Sequence, residues 1–305
     1  MKTMVTGGAG FIGSHIVDLL IESGHDVVVL DNFSSGKIEN VNKKADFVEI
    51  DLLSNKTSWN DGRSKYFENV DTVFHTAAMP RVQPSIQDPL GSNNQNVDAT
   101  IKVLECCRKN GVRRFVFSSS SAVYGNGGFP TQTVPVKESS PVSPMSPYAL
   151  QKLVGEQYCK LYSDIYDLET VCLRYFNVYG ERMSDDDLAY STVISVFNKQ
   201  KKQGLPLTIN GTGKQRRDFV YVKDVAKMNI VAMNSSELGK GDIVNVGYGV
   251  NYSVNEIADK FESEVAYRPV LLEPKITLSC IDKAISLGWK PEMNLMEWLA
   301  TTSSG

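Results

Sequence analysis

The sequence has few histidines and cysteines and no long apolar segment. Its 305 residues include only three histidines, which show no metal-ligand spacing, so no metal site is expected. Five cysteines form an odd set without a C-x-x-C pair, which indicates small core residues in a reducing compartment. The longest apolar runs, such as Val27–Leu30, are far shorter than the roughly 20 residues that cross a bilayer. We therefore expect a cytoplasmic chain without a membrane span.

Excess charge of one sign is also missing. The chain has 32 Lys and Arg against 35 Asp and Glu, a formal net charge of -3, and its pI is about 5.7. Such a balance gives no general attraction to nucleic acid or anionic lipid, so neither is an expected partner. Hydrophobic residues make up 42% of the chain, enough for a sizeable core without disulfides.

Apolar runs of strand length alternate with helical patterns through the first half of the chain. This alternation predicts βαβ units in a parallel sheet with helices on both faces, a doubly wound α/β domain of Rossmann type. After the first strand, apolar residues at helical spacing predict a helix that ends at Gly24, where a left-handed residue fits. The predicted strands are Thr3–Thr6, Val27–Leu30, Phe47–Ile50, Thr72–His75, Arg114–Phe117 and Thr170–Leu173.

The regularity weakens after Leu173. Short helices there are interrupted by stretches with loop composition, and one helix begins with a capping box at Ser253–Glu256. This part predicts a smaller C-terminal α/β lobe. The predicted loops are residues 184–187, 210–214 and 265–274. The predicted domains are 1–173, with a return segment near 219–247, and 174–305.

A glycine-rich turn joins the first predicted strand to the first predicted helix. Gly7 and Gly10 allow a tight turn and a close backbone approach to a pyrophosphate, and Gly13 lets the helix pack on the strand. The helix N-terminus supplies free N–H groups and positive potential. Asp31 closes the second strand at about the spacing of a ribose ligand. Together these features predict a dinucleotide site.

Asp31 also indicates which dinucleotide binds. A carboxylate there accepts hydrogen bonds from the ribose hydroxyls but repels a 2′-phosphate, and no Arg or Lys lies between Asp31 and Lys37 to reverse this preference. NAD is therefore favoured over NADP. The alternative is that Asp31 merely caps the loop with Asn32.

Asp51 lies just past the third predicted strand. Its carboxylate could accept a hydrogen bond from the adenine amine or cap a local turn, and the spacing leaves both functions open.

Tyr148 and Lys152 lie four residues apart in a predicted helix that begins near Ser146. The spacing places both on one helix face. A nearby cation and a positively charged nicotinamide would stabilise the phenolate and lower the tyrosine pKa from about 10 towards neutrality, which suits a general base. The alternative is an exposed helix pair, because the Y-x-x-x-K pattern is common.

The fifth predicted strand runs into four serines, Ser118–Ser121. Hydroxyls at the carboxyl end of a parallel strand lie where ligands bind in such sheets, so one of them could hydrogen-bond the same substrate hydroxyl that the tyrosine deprotonates. The alternative is a serine-rich turn with local hydrogen bonds, which explains one or two serines better than four.

Seven motifs in order span nearly the whole chain. They are TGGAGFIG at 6–13, the pair Asp31-Asn32, HTAA at 75–78, SSSSAVYG at 118–125, YALQK at 148–152, RYFNVYG at 174–180 and RRDFVYVKD at 216–224. Taken together they resemble the extended short-chain dehydrogenase/reductase superfamily. Within it, the chain is similar to NAD-dependent nucleotide-sugar 4-epimerases of the UDP-glucose and UDP-N-acetylglucosamine kind.

The resemblance implies three sets of site residues. The implied catalytic residues are Ser120, which lies four residues before Tyr124, Tyr148 and Lys152. The implied cofactor-binding residues are Gly7, Gly10, Phe11, Ile12, Gly13, Asp31, Asn32, Asp51, Leu52, Ala77, Asn96, Ser118, Tyr148 and Lys152. The implied substrate-binding residues are Ser119, Ser120, Asn177, Arg217, Arg268 and Thr277.

The two implied arginines differ in how well they match the family pattern. A planar guanidinium at Arg217 can grip phosphate oxygens bidentately, although an arginine beside Asp218 also suits a salt bridge. Arg268 is the candidate second diphosphate clamp, but the surrounding segment departs from the family pattern. Thr277 falls near the position where a small residue admits an N-acetyl group.

The activity implied is inversion at C4 of a UDP-sugar through a transient 4-keto intermediate, with NAD in the 1–173 domain and substrate in the smaller lobe. Rivals are a nucleotide-sugar dehydratase or decarboxylase, or a catalytically silent NAD-binding protein. Many dehydratases carry a carboxylate pair beside the strand-five hydroxyl, whereas Ser120–Ala122 has none. The resemblance also implies a homodimer through helices such as Thr100–Lys109 and Tyr148–Tyr162.

Overall fold

The computed structural model describes six stretches of the chain, and all structural statements refer to them: residues 1–54, 65–80, 82–125, 134–183, 192–269 and 275–302. The strands in these stretches are β1 (Lys2–Thr6), β2 (Asp26–Asp31), β3 (Asp46–Glu49), β4 (Thr72–His75), β5 (Arg114–Ser120), β6 (Glu169–Tyr175), β7 (Val178–Tyr179), β8 (Leu207–Asn210), β9 (Arg216–Asp218), β10 (Val220–Tyr221), β11 (Lys240–Val246), β12 (Asn251–Ser253) and β13 (Val265–Arg268).

The helices are α1 (Phe11–Glu22), α2 (Val82–Gln87), α3 (Pro89–Asn93), α4 (Ala99–Lys109), α5 (Pro147–Tyr166), α6 (Val193–Lys202), α7 (Val222–Asn234), α8 (Val254–Ala258), α9 (Asp282–Ser286) and α10 (Leu295–Thr302). A π-helical turn, Asn94–Asp98, joins α3 to α4. Within the described stretches, no helix is both long and apolar enough to cross a membrane.

Seven parallel strands form the central sheet in the order β11-β6-β5-β4-β1-β2-β3. The inner strands are buried on both faces, as expected of a parallel sheet covered by helices. In β1, for example, Met4 packs with the cluster under α4 and α5, whereas Val5 packs with the cluster under α1 and α7. This alternation sorts the core into two layers. The predicted doubly wound Rossmann fold is confirmed.

The strand order reverses between β1 and β4. At such a switch point the loops after neighbouring strands separate and leave a crevice beyond the carboxyl ends of the strands. The turns after β1, β4, β5 and β6 all lie at this edge, since these four strands are adjacent and parallel. The glycine turn, the HTAA segment, the serine run and Asn177 are therefore neighbours.

Three two-stranded sheets, β10-β7, β12-β9 and β13-β8, lie outside the central sheet. A separate core built around Tyr179, Phe197, Phe261 and Trp298 packs beneath them. Strand β11, from the later part of the chain, pairs with β6 at the edge of the central sheet, and α7 contacts α1. The division of the chain at residue 173 stays a prediction.

Each of the six predicted strands coincides with a strand of the central sheet. Helix α1 ends at Glu22, and Gly24 adopts a φ of +78°, while Ser253 and Glu256 form the predicted capping box. The expected loop over 265–274 is wrong in its first part, because Val265–Arg268 forms β13 against β8. The predicted loop at 184–187 lies outside the described residues, and so does that at 270–274.

Candidate active site

The glycine-rich turn brings the backbone of three segments into close contact. Gly7 adopts a φ of +73°, and a Cβ there would lie 2.7 Å from the Ala77 nitrogen. A Cβ at Gly13 would lie 2.2 Å from the Gly7 carbonyl oxygen. Only glycine allows this packing. Gly10 is the N-cap of α1, and no described side chain caps that helix end, so its backbone N–H groups and positive potential are available to an anion.

Phe11 and Ile12 open α1 beside this turn, and both are half-buried. Ile12 contacts the core of the central sheet as well as that of the smaller lobe, whereas Phe11 contacts the latter. The first turn of α1 is thus held from both sides. This packing fixes the direction in which the free N–H groups of the turn point.

Asp31 ends β2 beside the glycine turn. One carboxylate oxygen accepts a hydrogen bond from the Ala9 nitrogen at 3.0 Å, and the other accepts one from the Phe33 nitrogen at 2.8 Å. The carboxylate therefore caps the local loop and also joins it to the glycine turn. Each oxygen retains a lone pair that can accept a ribose hydroxyl. The half-buried Asn32 follows and accepts a hydrogen bond from the Ser34 nitrogen.

Asp51 and Leu52 follow β3. The exposed Asp51 carboxylate accepts a hydrogen bond from the Leu53 nitrogen at 2.8 Å. Within the chain, Asp51 therefore caps the turn after β3. Leu52 belongs to the core beside α4. In a cofactor site, Leu52 would form part of the pocket wall.

His75 lies buried at the end of β4 between two threonines. Its Nδ1 is 2.7 Å from the Thr6 hydroxyl and its Nε2 is 3.0 Å from the Thr100 hydroxyl. Thr100 donates its own proton to the Asn96 carbonyl oxygen at 2.7 Å, so it must accept from His75. The imidazole therefore carries its proton on Nε2, and Thr6 donates to Nδ1.

Asn96 continues this network towards α5. Its side chain donates to the Met79 carbonyl and to the Gln151 side chain at 2.7 Å, and it accepts from the Met79 nitrogen. Gln151 in turn donates to Ser92. Asn96 thus holds the segment after β4, which includes the half-buried Ala77, against the helix that carries Tyr148. Its predicted support of the cofactor side acts through this segment.

We expect His75 to remain neutral throughout the physiological pH range. Burial lowers the pKa of His75 to about 3, and the Lys152 charge adds to this. Between about pH 6.5 and 3 the unfolded chain binds a proton on this histidine that the folded chain does not. The free energy of unfolding therefore falls by about 1.4 kcal/mol for each pH unit by which the solution is made more acidic. In ¹⁵N NMR of the histidine rings, His75 should show the Nε2–H tautomer without titration from pH 5 to 8. A titration midpoint near 6.5 would contradict this assignment.

Helix α5 presents the Tyr148–Lys152 pair to the same crevice. The Ser146 hydroxyl caps the helix by accepting from the Ala149 nitrogen at 3.2 Å, and Pro147 occupies the first turn. The Tyr148 nitrogen donates to the buried Ser85 hydroxyl at 3.0 Å. The phenol is half-buried, and its helix end is thus held in place by two serines.

Lys152 is buried beneath Tyr148. Its ammonium donates to the Ser118 carbonyl oxygen at 2.8 Å and lies 5.9 Å from the centre of the Tyr148 ring. Burial lowers the pKa of Lys152 to about 8, although the Cys159 and Glu156 charges oppose the shift. The group therefore remains cationic at neutral pH and can stabilise a phenolate.

Close packing brings α5 onto β5. A Cβ at Gly155 would lie 2.4 Å from the tip of the Phe117 ring. The Lys152 nitrogen lies 5.0 Å above the same ring, a cation–π contact that offsets part of the cost of burying the charge. The absence of a side chain at Gly155 thus sets the distance between β5 and the face of α5 that carries Tyr148 and Lys152.

The serine run divides its hydroxyls among different partners. The Ser118 hydroxyl lies 3.2 Å from the Tyr175 hydroxyl, and the Ser119 hydroxyl donates to the Glu156 carboxylate at 2.5 Å. Both are buried. The Ser120 hydroxyl accepts from the Ala122 nitrogen at 3.2 Å and is half-buried at the end of the strand. No described residue accepts a hydrogen bond from it, so its proton can be donated to a ligand. Ser120 therefore suits the predicted contact with substrate, whereas the Ser119 hydroxyl is directed into the fold, and its substrate contact stays a prediction.

Two predicted substrate residues meet at Asp218, and a third precedes it in the chain. The Asn177 side chain donates to the Asp218 carbonyl at 2.7 Å and to the Thr277 hydroxyl at 3.4 Å, and the Thr277 hydroxyl accepts from the Asp218 nitrogen. Arg217, on β9, is buried and donates to the Arg216 carbonyl at 2.9 Å. Asn177 and Thr277 are 100 residues apart in the chain, yet they lie side by side.

Asp218 itself anchors this group. Its carboxylate accepts from the Tyr248, Gly249 and Ser279 nitrogens and from the Ser279 hydroxyl. Burial raises the pKa of Asp218 to about 6, although these donors oppose the shift. Arg268 lies elsewhere, exposed on β13 in a different two-stranded sheet from Arg217.

Sequence reasoning missed the polar residues that support the site: His75, Gln151, Glu156, Arg174 and Asp218. One signal was present, because Glu156 follows Lys152 by four residues and therefore shares the face of α5 that carries Tyr148 and Lys152. The others depend on contacts between distant segments. Among the described residues, no group of three or more His, Cys, Asp or Glu could hold a metal ion.

The profile of the NAD-dependent epimerase/dehydratase family matches residues 3–247. A Methanocaldococcus jannaschii protein with the provisional name UDP-glucose 4-epimerase is 45% identical over 96% of this chain and 94% of its own. The crystal structure of the UDP-glucose 4-epimerase of Thermotoga maritima with UDP-glucose is 34% identical and superposes with a TM-score of 0.91 over 100% of this chain and 98% of its own.

A second solved structure contains the cofactor. The UDP-glucose 4-epimerase of Thermus thermophilus in complex with NAD is 34% identical to this chain. It superposes with a TM-score of 0.89 over 100% of this chain and 98% of its own. The similarity thus extends through both the central sheet and the smaller lobe.

Proposed function

The chain belongs to the NAD-dependent epimerase/dehydratase family, and on this basis we propose that it is an isomerase that uses bound NAD to invert C4 of a UDP-sugar. The observation that carries the proposal is the position of the buried Lys152 cation, which donates to the Ser118 carbonyl at the end of β5, two residues before Ser120, and lies 5.9 Å from the centre of the Tyr148 ring. The relatives named as UDP-glucose 4-epimerases support the substrate class.

The chain's residues fit NAD. The backbone around Gly7 and Gly13 leaves no room for side chains, a Cβ at Gly10 would lie 3.1 Å from the Gly7 oxygen, and the uncapped start of α1 can hold the pyrophosphate. Asp31 has lone pairs left for the ribose hydroxyls. Ala77 and Asn96 bound the site on the β4 side, and Asp51 is proposed for the adenine. NAD held by these residues would supply the acceptor and donor of hydride for the sugar C4.

Tyr148 is the proposed general base. Lys152, held on the Ser118 carbonyl, stabilises the phenolate, which takes the proton from the 4-hydroxyl as hydride leaves C4. Ser120 donates a hydrogen bond to the same oxygen. Tyr148 then returns the proton after the 4-keto sugar has turned over to present its other face. The sugar thus regains both the proton and the hydride, and the net change is the inversion at C4.

The smaller lobe is proposed to hold the nucleotide diphosphate while the sugar turns. Arg217 is the proposed diphosphate ligand, because a guanidinium matches phosphate oxygens. Asn177, which adopts a φ of +27° and is fixed by the Asp218 carbonyl, is the proposed sugar-side contact. Thr277 is proposed to shape the pocket beside Asn177, and Arg268 remains the proposed second clamp.

A nucleotide-sugar dehydratase is a second candidate, because the family contains both activities. Elimination of water needs an added acid and base, and Ser120–Ala122 supplies no carboxylate. The inverting reaction therefore fits the site better. An intact Ser120, Tyr148 and Lys152 also oppose a catalytically silent role.

The test uses the purified protein without added NAD. UDP-glucose and UDP-N-acetylglucosamine are supplied separately, and the anomeric signals are followed by NMR. Appearance of the C4 epimer of either sugar supports the proposal. Loss of water from the sugar would identify a dehydratase, and an unchanged sugar in the presence of excess NAD would contradict the proposed activity.

A homodimer is part of the proposal. Helix α5 exposes an apolar stripe at helical spacing, with Leu150, Leu161 and Ile165 being 54%, 48% and 61% exposed, and Val154 and Tyr158 lie half-exposed between them. A second copy of this chain would bury the stripe by pairing α5 with α5.

The buried, free cysteines support the proposed cytoplasmic compartment.

Leu161→Glu should weaken the dimer, because it places a carboxylate in the centre of the stripe. We expect the dimer Kd in sedimentation velocity to rise by about two orders of magnitude. The control is Ile285→Glu, at an isoleucine that is 52% exposed on α9, which should leave the dimer intact. Wild-type protein that sediments as a monomer at high micromolar concentration would refute the dimer.

A further inference from the structure

A buried ion pair lies directly below the proposed catalytic residues. The Arg174 guanidinium donates to both oxygens of the Glu156 carboxylate, at 2.8 and 2.7 Å. The two side chains are only 3% and 1% exposed. Burial lowers the pKa of Arg174, but the Glu156 hydrogen bond and charge more than offset this and raise its pKa above the usual range. The pair is therefore charged and bidentate, a geometry that fixes both side chains in orientation.

The same carboxylate also holds the serine run. The Ser119 hydroxyl donates to Glu156 Oε1 at 2.5 Å, a length typical of a hydrogen bond to an ionised acceptor. Ser119 and Arg174 face each other in the register of β5 and β6. Glu156 thus joins the ends of two neighbouring strands to one helix, at the residue immediately before Ser120.

The inner face of α5 forms a series of contacts with β5. Tyr148, Lys152 and Glu156 are spaced by four residues and lie on one face of the helix. Lys152 binds the Ser118 carbonyl and Glu156 binds the Ser119 hydroxyl. A sliding or rotation of α5 that displaced Tyr148 from Ser120 would have to break both contacts. The Glu156 carboxylate also binds the Arg174 guanidinium on β6, so it joins α5 to both strands.

Arg174 also connects this anchor to the turn after β5 and to β11 at the edge of the central sheet. Its guanidinium lies 4.6 Å from the centre of the Tyr124 ring and donates to the Glu138 carbonyl. The Tyr124 hydroxyl donates to Asn245 at 2.7 Å, and the Asn245 nitrogen donates to the Glu138 carboxylate. The turn that follows Ser120 is therefore braced against the same guanidinium.

Stability alone does not account for such a pair. Removing two charges from water costs several kcal/mol for each ion, and buried ion pairs can often be replaced by apolar side chains without loss of stability. The apolar core around Phe117 and Cys172 would accommodate apolar groups there. The particular property of the pair is its fixed geometry between α5, β5 and β6.

We propose that Glu156 and Arg174 are positioning residues for the reaction, which hold Ser119 and the inner face of α5 so that the Ser120 hydroxyl and the Tyr148 phenol meet at one substrate oxygen. This inference rests on the proposed function. Neither residue touches substrate or cofactor, and both act through Ser119 and α5. A misplacement of reacting groups by about 1 Å can cost about 100-fold in rate.

Two variants separate positioning from stability. Glu156→Gln keeps the shape but directs an amide donor at Ser119 or Arg174. The double variant Glu156→Leu with Arg174→Met removes both charges and puts apolar side chains in their place, so we expect a Tm within about 3 °C of wild type. In both we expect kcat to fall about 100-fold, with KM within about threefold and NAD content unchanged, because the cofactor turn and Arg217 are untouched.

The double variant decides the question. Reduced kcat at wild-type Tm supports positioning, whereas wild-type kcat in the double variant shows a structural role only and overturns the inference. If neither variant folds, Ser119→Ala decides, because it removes one hydrogen bond and leaves the ion pair in place. A kcat about fivefold lower with unchanged KM is expected, and an unchanged kcat overturns the inference. Wild-type protein assayed in parallel must invert C4; its failure would overturn the proposed function and this inference together.

Discussion

Replacing Tyr148 by phenylalanine lowers turnover of the UDP-sugar by about a thousandfold or more, while NAD remains bound. The substitution keeps the ring and the helix but removes the proposed general base for the 4-hydroxyl, and a positioned acid-base group contributes roughly 10²–10⁴-fold. The Lys152 ammonium stays on the Ser118 carbonyl because that bond does not involve the phenol. Turnover is measured by NMR of the anomeric signals, and NAD by absorbance after denaturation.

The matched control is Tyr166→Phe, on the last turn of the same helix. Tyr166 is 45% exposed, and its ring contacts Arg108, which the substitution preserves. We expect wild-type kcat from this variant. Activity of Tyr148→Phe above roughly a tenth of wild type would show that another group moves the proton.

Gly7→Ala should yield a chain that folds with little or no NAD. A Cβ at Gly7 would lie 2.7 Å from the Ala77 nitrogen, so the glycine turn and the segment after β4 must separate. These two segments form opposite sides of the proposed cofactor site. The left-handed φ adds about 1–2 kcal/mol of strain. We expect NAD content to fall at least about tenfold, and activity with it.

Gly24→Ala separates strain from contact. Gly24 has a φ of +78°, close to that of Gly7, but no described atom lies within 4 Å of its Cβ position. The control therefore carries the same backbone strain without the collision and should lose some stability but keep its NAD. Equal loss of NAD in both variants would mean that strain, and not the close approach of Ala77, is responsible.

The features that the sequence predicted well are those encoded by local pattern. The strands of the central sheet carry runs of β-branched and apolar residues, and the turn after β1 needs glycines whose spacing is itself the signal. The capping box at Ser253–Glu256 is similarly local. Tyr148 and Lys152 were found because helical spacing alone places them together. The Thr192–Ser195 box was missed because a serine replaces the usual acid or amide at N3.

The features that were missed depend on distant partners. Strand β13 is exposed along its length, so its sequence has no apolar alternation to distinguish it from a loop. Ser119 and Ser120 look equivalent in sequence, and only the position of Glu156 shows that one is directed into the core. The contact of Asn177 with Thr277 forms across 100 residues, and no local pattern predicts it.

The most direct test of the account follows one hydrogen. The purified protein is given UDP-glucose or UDP-N-acetylglucosamine with deuterium at C4, in ordinary water, and the epimer formed is analysed by NMR and mass spectrometry. If hydride leaves C4 and returns to it within the crevice while Tyr148 handles only the hydroxyl proton, the product keeps its deuterium at C4. Loss of the deuterium to water during inversion would contradict the account.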